Sequence, residues 1–168
     1  MSHVEAFEQA LADRPVTVDR ITATEFPGRI EAQLDPPAVG VPLPFEGVSL
    51  SGLPVELNPT PSELTAATTG VTPVGPAVAE YGSVVVQSGV EGAEGVSLYP
   101  DKHVAVLAAS DVVGSLTDAV AALSGPIADG DLSSAVIATG PSGTADMGSL
   151  VYGAHGPETV HVVVLEDR

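Results

Sequence analysis

Hydrophobic residues recur at helical spacing in four segments of the chain. Near the amino terminus, Val4, Phe7 and Leu11 share one face, which predicts a short amphipathic helix. Polar residues at the starts of the segments support them, because a side-chain oxygen there can accept a backbone N–H that the first turn leaves unpaired. The predicted helices are residues 3–13, with a Ser2 and Glu5 capping box; a segment capped by Thr24; a segment from Thr60, with a Thr60 and Glu63 capping box, to Gly70; and residues 111–124, between a cap at Ser110 and Asp111 and a stop at Gly125 and Pro126.

Short β-branched runs predict strands between and after these helices. The order strand 103–108, helix 111–124, strand 135–138 forms a βαβ unit, so a right-handed crossover should make the two strands parallel neighbours. We expect residues 150–152 and 160–165 to pair as a C-terminal hairpin. These patterns predict one α/β domain over residues 1–168, with three layers and a largely parallel central sheet. The predicted strands are residues 16–18, 83–87, 96–98, 103–108, 135–138, 150–152 and 160–165.

The charge of the chain is strongly negative. Asp and Glu number 22 against five Lys and Arg, which gives a formal net charge of −17, and Lys102 is the single lysine. Such a chain repels nucleic acid and anionic lipid, so we expect neither as a partner. The apolar fraction of 44% is nevertheless high enough for a folded core. The composition favours a halophilic protein that works in concentrated salt, where self-repulsion is screened; an ordinary acidic protein is the alternative.

The absence of cysteine restricts the chemistry further. With no Cys in the sequence, this chain forms no disulfide, thiolate metal site or cysteine-bound iron–sulfur cluster. No apolar run approaches the ~20 residues that a membrane-spanning helix needs. The first residues also lack a basic region followed by a long apolar one, so we expect a cytoplasmic protein without a signal peptide.

The loop from Thr139 to Asp146 is the strongest candidate for a binding site. Its two glycines permit a tight turn that exposes amide protons, and its hydroxyls can donate to an anionic oxygen. Because ligands of open α/β sheets bind beyond the carboxyl ends of the strands, we expect the loop to emerge there and to hold a small anionic metabolite. A simple tight turn, with a hydroxyl or Asp146 as a cap, is the alternative. The candidate ligand-binding residues are Gly140, Ser142, Gly143, Thr144 and Asp146.

Two residues outside this loop are candidates for catalysis. Glu80 precedes a predicted buried strand, where a carboxylate can act as a base or accept backbone hydrogen bonds in a turn. His155 lies in a glycine-rich turn and can bind a ligand or shuttle a proton. The spacing of His103, His155 and His161 matches no local ligand motif, so we expect no metal site, and His161 alternates with valines as a packed strand residue.

Several short motifs together resemble the lactate-utilisation C proteins, which form the LUD-domain family. That family carries TGPSRTAD, GVHGP and LHVVL in this order. The resemblance covers residues 70–168 and is weak over residues 1–69, and the chain departs from the family at Tyr81, where the family has threonine, and at Gly143, where it has arginine. The matching segments are Thr139–Asp146 (TGPSGTAD), Gly153–Pro157 (GAHGP), Val160–Leu165 (VHVVVL), Ala79–Ser83 (AEYGS) and Leu98–Val104 (LYPDKHV).

This resemblance implies a fold and a function. The fold should be similar to that of ribose isomerases and coenzyme A transferases. The function implied is that of an accessory subunit in the oxidation of L-lactate to pyruvate, which binds a small organic acid or partner iron–sulfur proteins that house the clusters. Two alternatives stay open: a free-standing transferase-like or isomerase-like enzyme with Glu80 as its reactive carboxylate, and an orphan small-molecule-binding domain.

Overall fold

The computed structural model describes the backbone of residues 1–168 and every side chain except that of Asp146. Two predicted capping boxes are confirmed, since Ser2 and Glu5 bond reciprocally at one helix start and Thr60 and Glu63 do so at another. Thr24 is not a cap, because its helix starts after Glu25 without a side-chain cap. The helices are α1 (His3–Leu11), α2 (Phe26–Glu31), α3 (Pro61–Ala66), α4 (Ala93–Leu98) and α5 (Leu116–Asp129).

Helix α5 starts and ends later than its apolar spacing predicts. The cap is Ser115, which forms a capping box with Asp118, while Ser110 and Asp111 belong to a short 3-10 turn. The helix then continues through Pro126 and ends at Gly130, whose left-handed backbone closes it. Val112 and Val113, which follow the 3-10 turn, form a short strand, so the helix cannot start at Ser110.

The segment predicted as a strand at residues 96–98 is instead the end of α4. Three apolar residues in a row do not distinguish a strand from one turn of a buried helix. The packing decides between them here, because α4 lies directly on the central sheet above Gly70.

Twelve strands form three sheets. The central sheet has six strands in the order β1-β12-β7-β4-β2-β3, and all of its pairings are parallel, as the sequence predicts. A second sheet has the order β8-β5-β6-β9, and β10 and β11 form a separate hairpin. The strands are β1 (Val16–Ile21), β2 (Ala38–Gly40), β3 (Glu56–Leu57), β4 (Thr69–Pro73), β5 (Ala77–Val78), β6 (Ser83–Gln87), β7 (Lys102–Ala108), β8 (Val112–Val113), β9 (Ala135–Ala138), β10 (Gly143–Asp146), β11 (Ser149–Tyr152) and β12 (Thr159–Leu165).

Two predicted strand pairings are wrong. Strand β9 pairs antiparallel with β6 in the second sheet, so β7 and β9 do not form the predicted parallel unit. The C-terminal hairpin joins β10 to β11, whereas β12 inserts between β1 and β7. Burial explains the exchange: β12 is buried on both faces from its second residue onward, as a central parallel strand is, while β9 alternates between exposed and half-buried positions.

Both faces of the central sheet are covered. One face packs against α1, α4 and the second sheet, and the other packs against α2 and apolar residues of the segment 43–57. Helix α5 lies on the outer side of the second sheet, where Leu123 contacts Val85. No helix in the described part of the chain is long and apolar enough to cross a membrane. The space between the two sheets is where the candidate site lies.

Candidate functional site

A cavity of about 210 Å³ lies between the central sheet and the second sheet. It opens at the amino ends of β1, β7 and β12, since Val16, His103 and Val160 line it and lie at the start of these strands. The loop that follows β9 reaches this edge. The expectation that the loop would emerge at the carboxyl ends of the parallel strands is therefore wrong, because β9 belongs to the other sheet. The polar side chains that line the cavity are Ser97, His103, Thr139, Ser142 and His155.

Backbone hydrogen bonds clamp the loop after β9 to the turn before β12. The amide of Ser142 donates to the carbonyl of Pro157 at 2.9 Å, and the carbonyl of Ser142 accepts from the amide of Gly153 at 2.9 Å. Gly156 makes this approach possible, since a Cβ atom there would lie 3.0 Å from Cβ of Ser142. The clamp brings Ser142 and His155, two candidates from separate motifs, to the same cavity.

Gly140 fixes the start of this loop. Its φ of 72° is in the left-handed region that favours glycine. A Cβ atom at Gly140 would lie 3.2 Å from Cγ2 of Val16, so the loop approaches the first residue of β1 closely. Thr139, the residue before, forms a 2.6 Å hydrogen bond with the hydroxyl of Ser83 on β6. These contacts tie the loop to both sheets and define one wall of the cavity.

His103 lies on the cavity side of β7 and is almost fully buried. Its Nε2 is 2.8 Å from Oγ1 of Thr72 on the neighbouring strand β4. Burial lowers its pKa to about 4, so the ring is neutral near pH 7 and presents one N–H donor and one acceptor nitrogen. In the sequence His103 starts a predicted strand and, together with His155 and His161, matches no metal-ligand motif. Its polar character at the start of an otherwise apolar run is the one signal that indicated a further role.

His161 lies on the opposite face of the central sheet. Its Nδ1 is 2.6 Å from Oγ1 of Thr17, and its Nε2 is 3.5 Å from Oδ2 of Asp19. Burial lowers the pKa of His161, although the nearby Asp19 carboxylate opposes this effect. The alternation along β12 is as predicted, because Val160 and Val162 face the cavity side.

The three histidines therefore do not converge. His103 and His155 line the cavity, and the central sheet separates them from His161. Among the side chains that the structure describes, no three His, Asp or Glu residues are placed to share a metal ion.

Glu80 lies in an exposed turn away from the cavity lining. Its Oε1 accepts a hydrogen bond from the amide of Leu116 at 2.9 Å, so the carboxylate caps the first turn of α5. This contact matches the alternative in which Glu80 accepts a backbone hydrogen bond.

Three loop candidates lie beyond the clamp. Gly143 and Thr144 belong to β10, where they pair with Tyr152 and Val151, and neither lines the cavity. The Asp146 side chain lies outside the described residues. The candidates that the fold brings together are thus Gly140, Ser142 and His155, with His103 added by the structure.

A family model of the LUD domain matches residues 55–165. The chain belongs to the LUD domain family. Lactate utilization protein C of Bacillus licheniformis is 40% identical over 94 residues, which are 54% of this chain and 39% of that protein. Lactate utilization protein C of Deinococcus radiodurans is 28% identical over 167 residues, which are 95% of this chain and 77% of that protein. This LUD domain chain spans about two fifths of the length of the Bacillus relative it matches.

The fold of this LUD domain is also seen in a solved structure. A crystal structure of a DUF162 family protein from Deinococcus radiodurans superposes with a TM-score of 0.75 at 22% identity, and the match covers 99% of each chain. The likeness extends over residues 1–69, where the family motifs of the sequence are weak.

Proposed function

We propose that this LUD domain acts in lactate utilisation by binding a small organic acid in the cavity between the two sheets. The name of its relatives, Lactate utilization protein C, supports the role in lactate utilisation. The observation that carries the binding role is the clamp at Ser142, because it brings a hydroxyl and the His155 imidazole from two motifs to one cavity. The departures at Gly143 and Tyr81 lie outside the cavity lining, so they leave this arrangement intact.

The walls of the cavity suit a short acid that carries an alkyl group. Valine side chains from β6, β9 and β12 provide an apolar surface for a methyl group, and the Ser142 hydroxyl and the His155 imidazole can donate to a carboxylate. No Lys or Arg side chain is among the described residues that line it. The carboxylate would therefore be held by hydrogen-bond donors such as the Ser142 hydroxyl and not by a Lys or Arg side chain.

The net charge of the chain sets the expected salt dependence. A charge of −17 repels an anion, and salt screens this repulsion. We therefore expect the affinity for L-lactate or pyruvate to rise as KCl increases. Where cationic side chains hold an anion, added salt has the opposite effect.

The test is a calorimetric titration of the full chain with L-lactate and with pyruvate at low and high KCl. Ser142→Ala together with His155→Leu should weaken binding at least about fivefold, since each change removes a hydrogen-bond donor. The matched control is Ser62→Ala, which removes an exposed hydroxyl from α3 and should bind as the native chain does. Absence of saturable binding for either acid, or equal binding by the double variant, would remove the cavity from the function.

We propose that partner proteins carry out the electron transfer that the oxidation of lactate requires. The chain holds no cysteine for an iron–sulfur cluster, so oxidation of lactate would need clusters in other subunits. A pull-down with the tagged chain from native lysate in high salt, followed by an iron assay, tests this. Recovery of iron–sulfur proteins with lactate-dependent electron transfer supports the accessory-subunit role. Recovery of the chain by itself would favour a free-standing binding protein.

A further inference from the structure

A second cavity, of about 500 Å³, lies at the opposite end of the central sheet. It begins at Pro73, where β4 ends, and at Ser110, in the 3-10 turn that follows β7, and the helix α5 closes one side with Leu123. Crevices beyond the carboxyl ends of parallel strands are the usual ligand sites of open α/β sheets. The volume is also in the range of small-molecule sites, about 300–1,000 Å³. Neither His103 nor any described candidate site residue predicted from the sequence lines this cavity.

The polar side chains among the described residues that line this cavity are Ser110, Asp111 and Gln87. Asp111 is the one ionisable side chain among the described residues that line it. Gln87 donates one amide N–H to the carbonyl of Gly75 at 2.6 Å, which leaves its amide oxygen as an acceptor and its second N–H as a donor. A ligand with several N–H donors complements such a lining.

Asp111 is held against the backbone that follows β4. A Cβ atom at Gly75 would lie 3.4 Å from Oδ2 of Asp111, so the carboxylate lies close to this turn. Asp111 is solvent-exposed at its position in the 3-10 turn, and partial burial of its carboxyl group raises its pKa.

Phe45 supplies an aromatic surface at the same cavity. Protonated amines are attracted to both an aromatic face and a carboxylate. The guanidinium of Arg168 lies beside the turn at Gly47, but it donates to the carbonyl of Glu46 and pairs with Asp167. It is not part of the lining and does not supply an anion site there.

We propose that this second cavity binds an organic cation, a primary ammonium on an apolar or aromatic body, with Asp111 on the ammonium and Phe45 against the body. The apolar side chains of α5 and the prolines at the end of β4 cover the body of the ligand. The field of a chain with net charge −17 concentrates cations at its surface and opposes anions. The proposal is independent of the acid-binding role of the first cavity.

The experiment uses indole fluorescence, because the chain contains no tryptophan. Tryptamine, tryptophol and indole-3-acetate share the indole ring system. They differ in their polar group, which is an ammonium, a hydroxyl and a carboxylate, respectively. Each is titrated with the full chain in about 1 M KCl, where the Debye length of about 3 Å suppresses long-range attraction by the surplus carboxylates and leaves direct contact at Asp111. The variants are Asp111→Asn, Phe45→Leu and the control Glu91→Gln, which removes an exposed carboxylate elsewhere.

Saturable binding of tryptamine is expected, with tryptophol at least about tenfold weaker and indole-3-acetate unbound. Asp111→Asn should weaken tryptamine at least about tenfold, Phe45→Leu should weaken it less, and Glu91→Gln should match the native chain. Circular dichroism checks each fold, and Phe45→Leu carries the test if Asp111→Asn does not fold. The proposal is overturned if tryptamine does not saturate, if tryptophol binds equally, or if folded variants all bind like the native chain.

Discussion

The backbone of α4 approaches the central sheet very closely at Gly70. A Cβ atom on Gly70 would lie 2.0 Å from the carbonyl oxygen of Val96. Only a residue without a side chain permits this contact. Since Ser97 and Leu98 of the same helix line the first cavity, the approach at Gly70 also sets one wall of the proposed site.

Substitution of Gly70 by Ala should therefore destabilise the protein by about 3 kcal/mol, because the helix and the strand must separate. Gly28→Ala is the matched control: nothing lies within 4 Å of its Cβ position in α2, so it should stabilise by about 0.5–1 kcal/mol through helix propensity. Urea denaturation of both variants measures the difference. Equal effects at the two sites would contradict the packing of α4 on β4.

Protonation of His103 should make stability depend on pH. Its folded pKa of about 4 lies below the ordinary value of 6.5, so the unfolded chain binds more protons between these values. The stabilisation is present above pH 6.5 and is lost as the pH falls towards 4, a change of about 3 kcal/mol.

Substitution of His103 by Gln isolates this effect, since a Gln amide can still bond to Thr72. Denaturation at about pH 7.5 and about pH 4.5 should show a smaller loss of stability in the variant than in the native chain. His161, whose pKa is also lowered, contributes equally to both chains and cancels in the comparison. An identical pH dependence in the two proteins would show that His103 is not neutral and buried.

The variant Glu80→Gln tests the alternative in which the chain is a free-standing enzyme with Glu80 as its reactive carboxylate. The carboxylate accepts the amide of Leu116 at the amino end of α5, where a negative charge is favourable. We expect a loss of stability below about 1 kcal/mol and unchanged ligand binding by the first cavity. A coenzyme A thioester assay on the purified chain is the companion measurement. Turnover by the native chain that Glu80→Gln abolishes would instead establish a reactive carboxylate.

Salt should stabilise the folded chain. Raising KCl from about 0.1 M to about 1 M shortens the Debye length from about 10 Å to about 3 Å and screens repulsion among the surplus carboxylates. The midpoint of thermal unfolding is expected to increase over this range. The experiment uses a chloride salt and not a sulfate salt, because sulfate stabilises folded proteins in general by strengthening apolar burial. A midpoint that stays constant or falls would argue against salt adaptation.

Local signals explain which parts of the fold the sequence predicted. The helix starts at Ser2 and Thr60 depend on residues within one turn, and both are confirmed. The β-branched run at residues 160–165 likewise identified a buried strand. Where two local signals competed, as at Ser110 and Ser115, pairing of the intervening residues with β5 decided which serine caps α5.

The candidate site was likewise predicted in part by local motifs and in part decided by contacts between distant segments. The motifs identified Ser142 and His155 without saying that they meet, and their approach depends on the backbone clamp between Ser142 and Pro157. His103 joins them because β7 lies beside β12 in the central sheet, a pairing of distant segments that no local pattern specifies.

The sequence by itself determined the α/β class, the parallel character of the central sheet, the helix starts at Ser2 and Thr60 and the family, because periodicity, capping and short motifs are properties of neighbouring residues. The tertiary structure alone decided that β9 leaves the parallel sheet and β12 enters it, and that the loop after β9 lies at the amino edge. Strand partners are chosen by burial over the whole molecule, since a strand covered on both faces takes the centre and a half-exposed strand takes an edge.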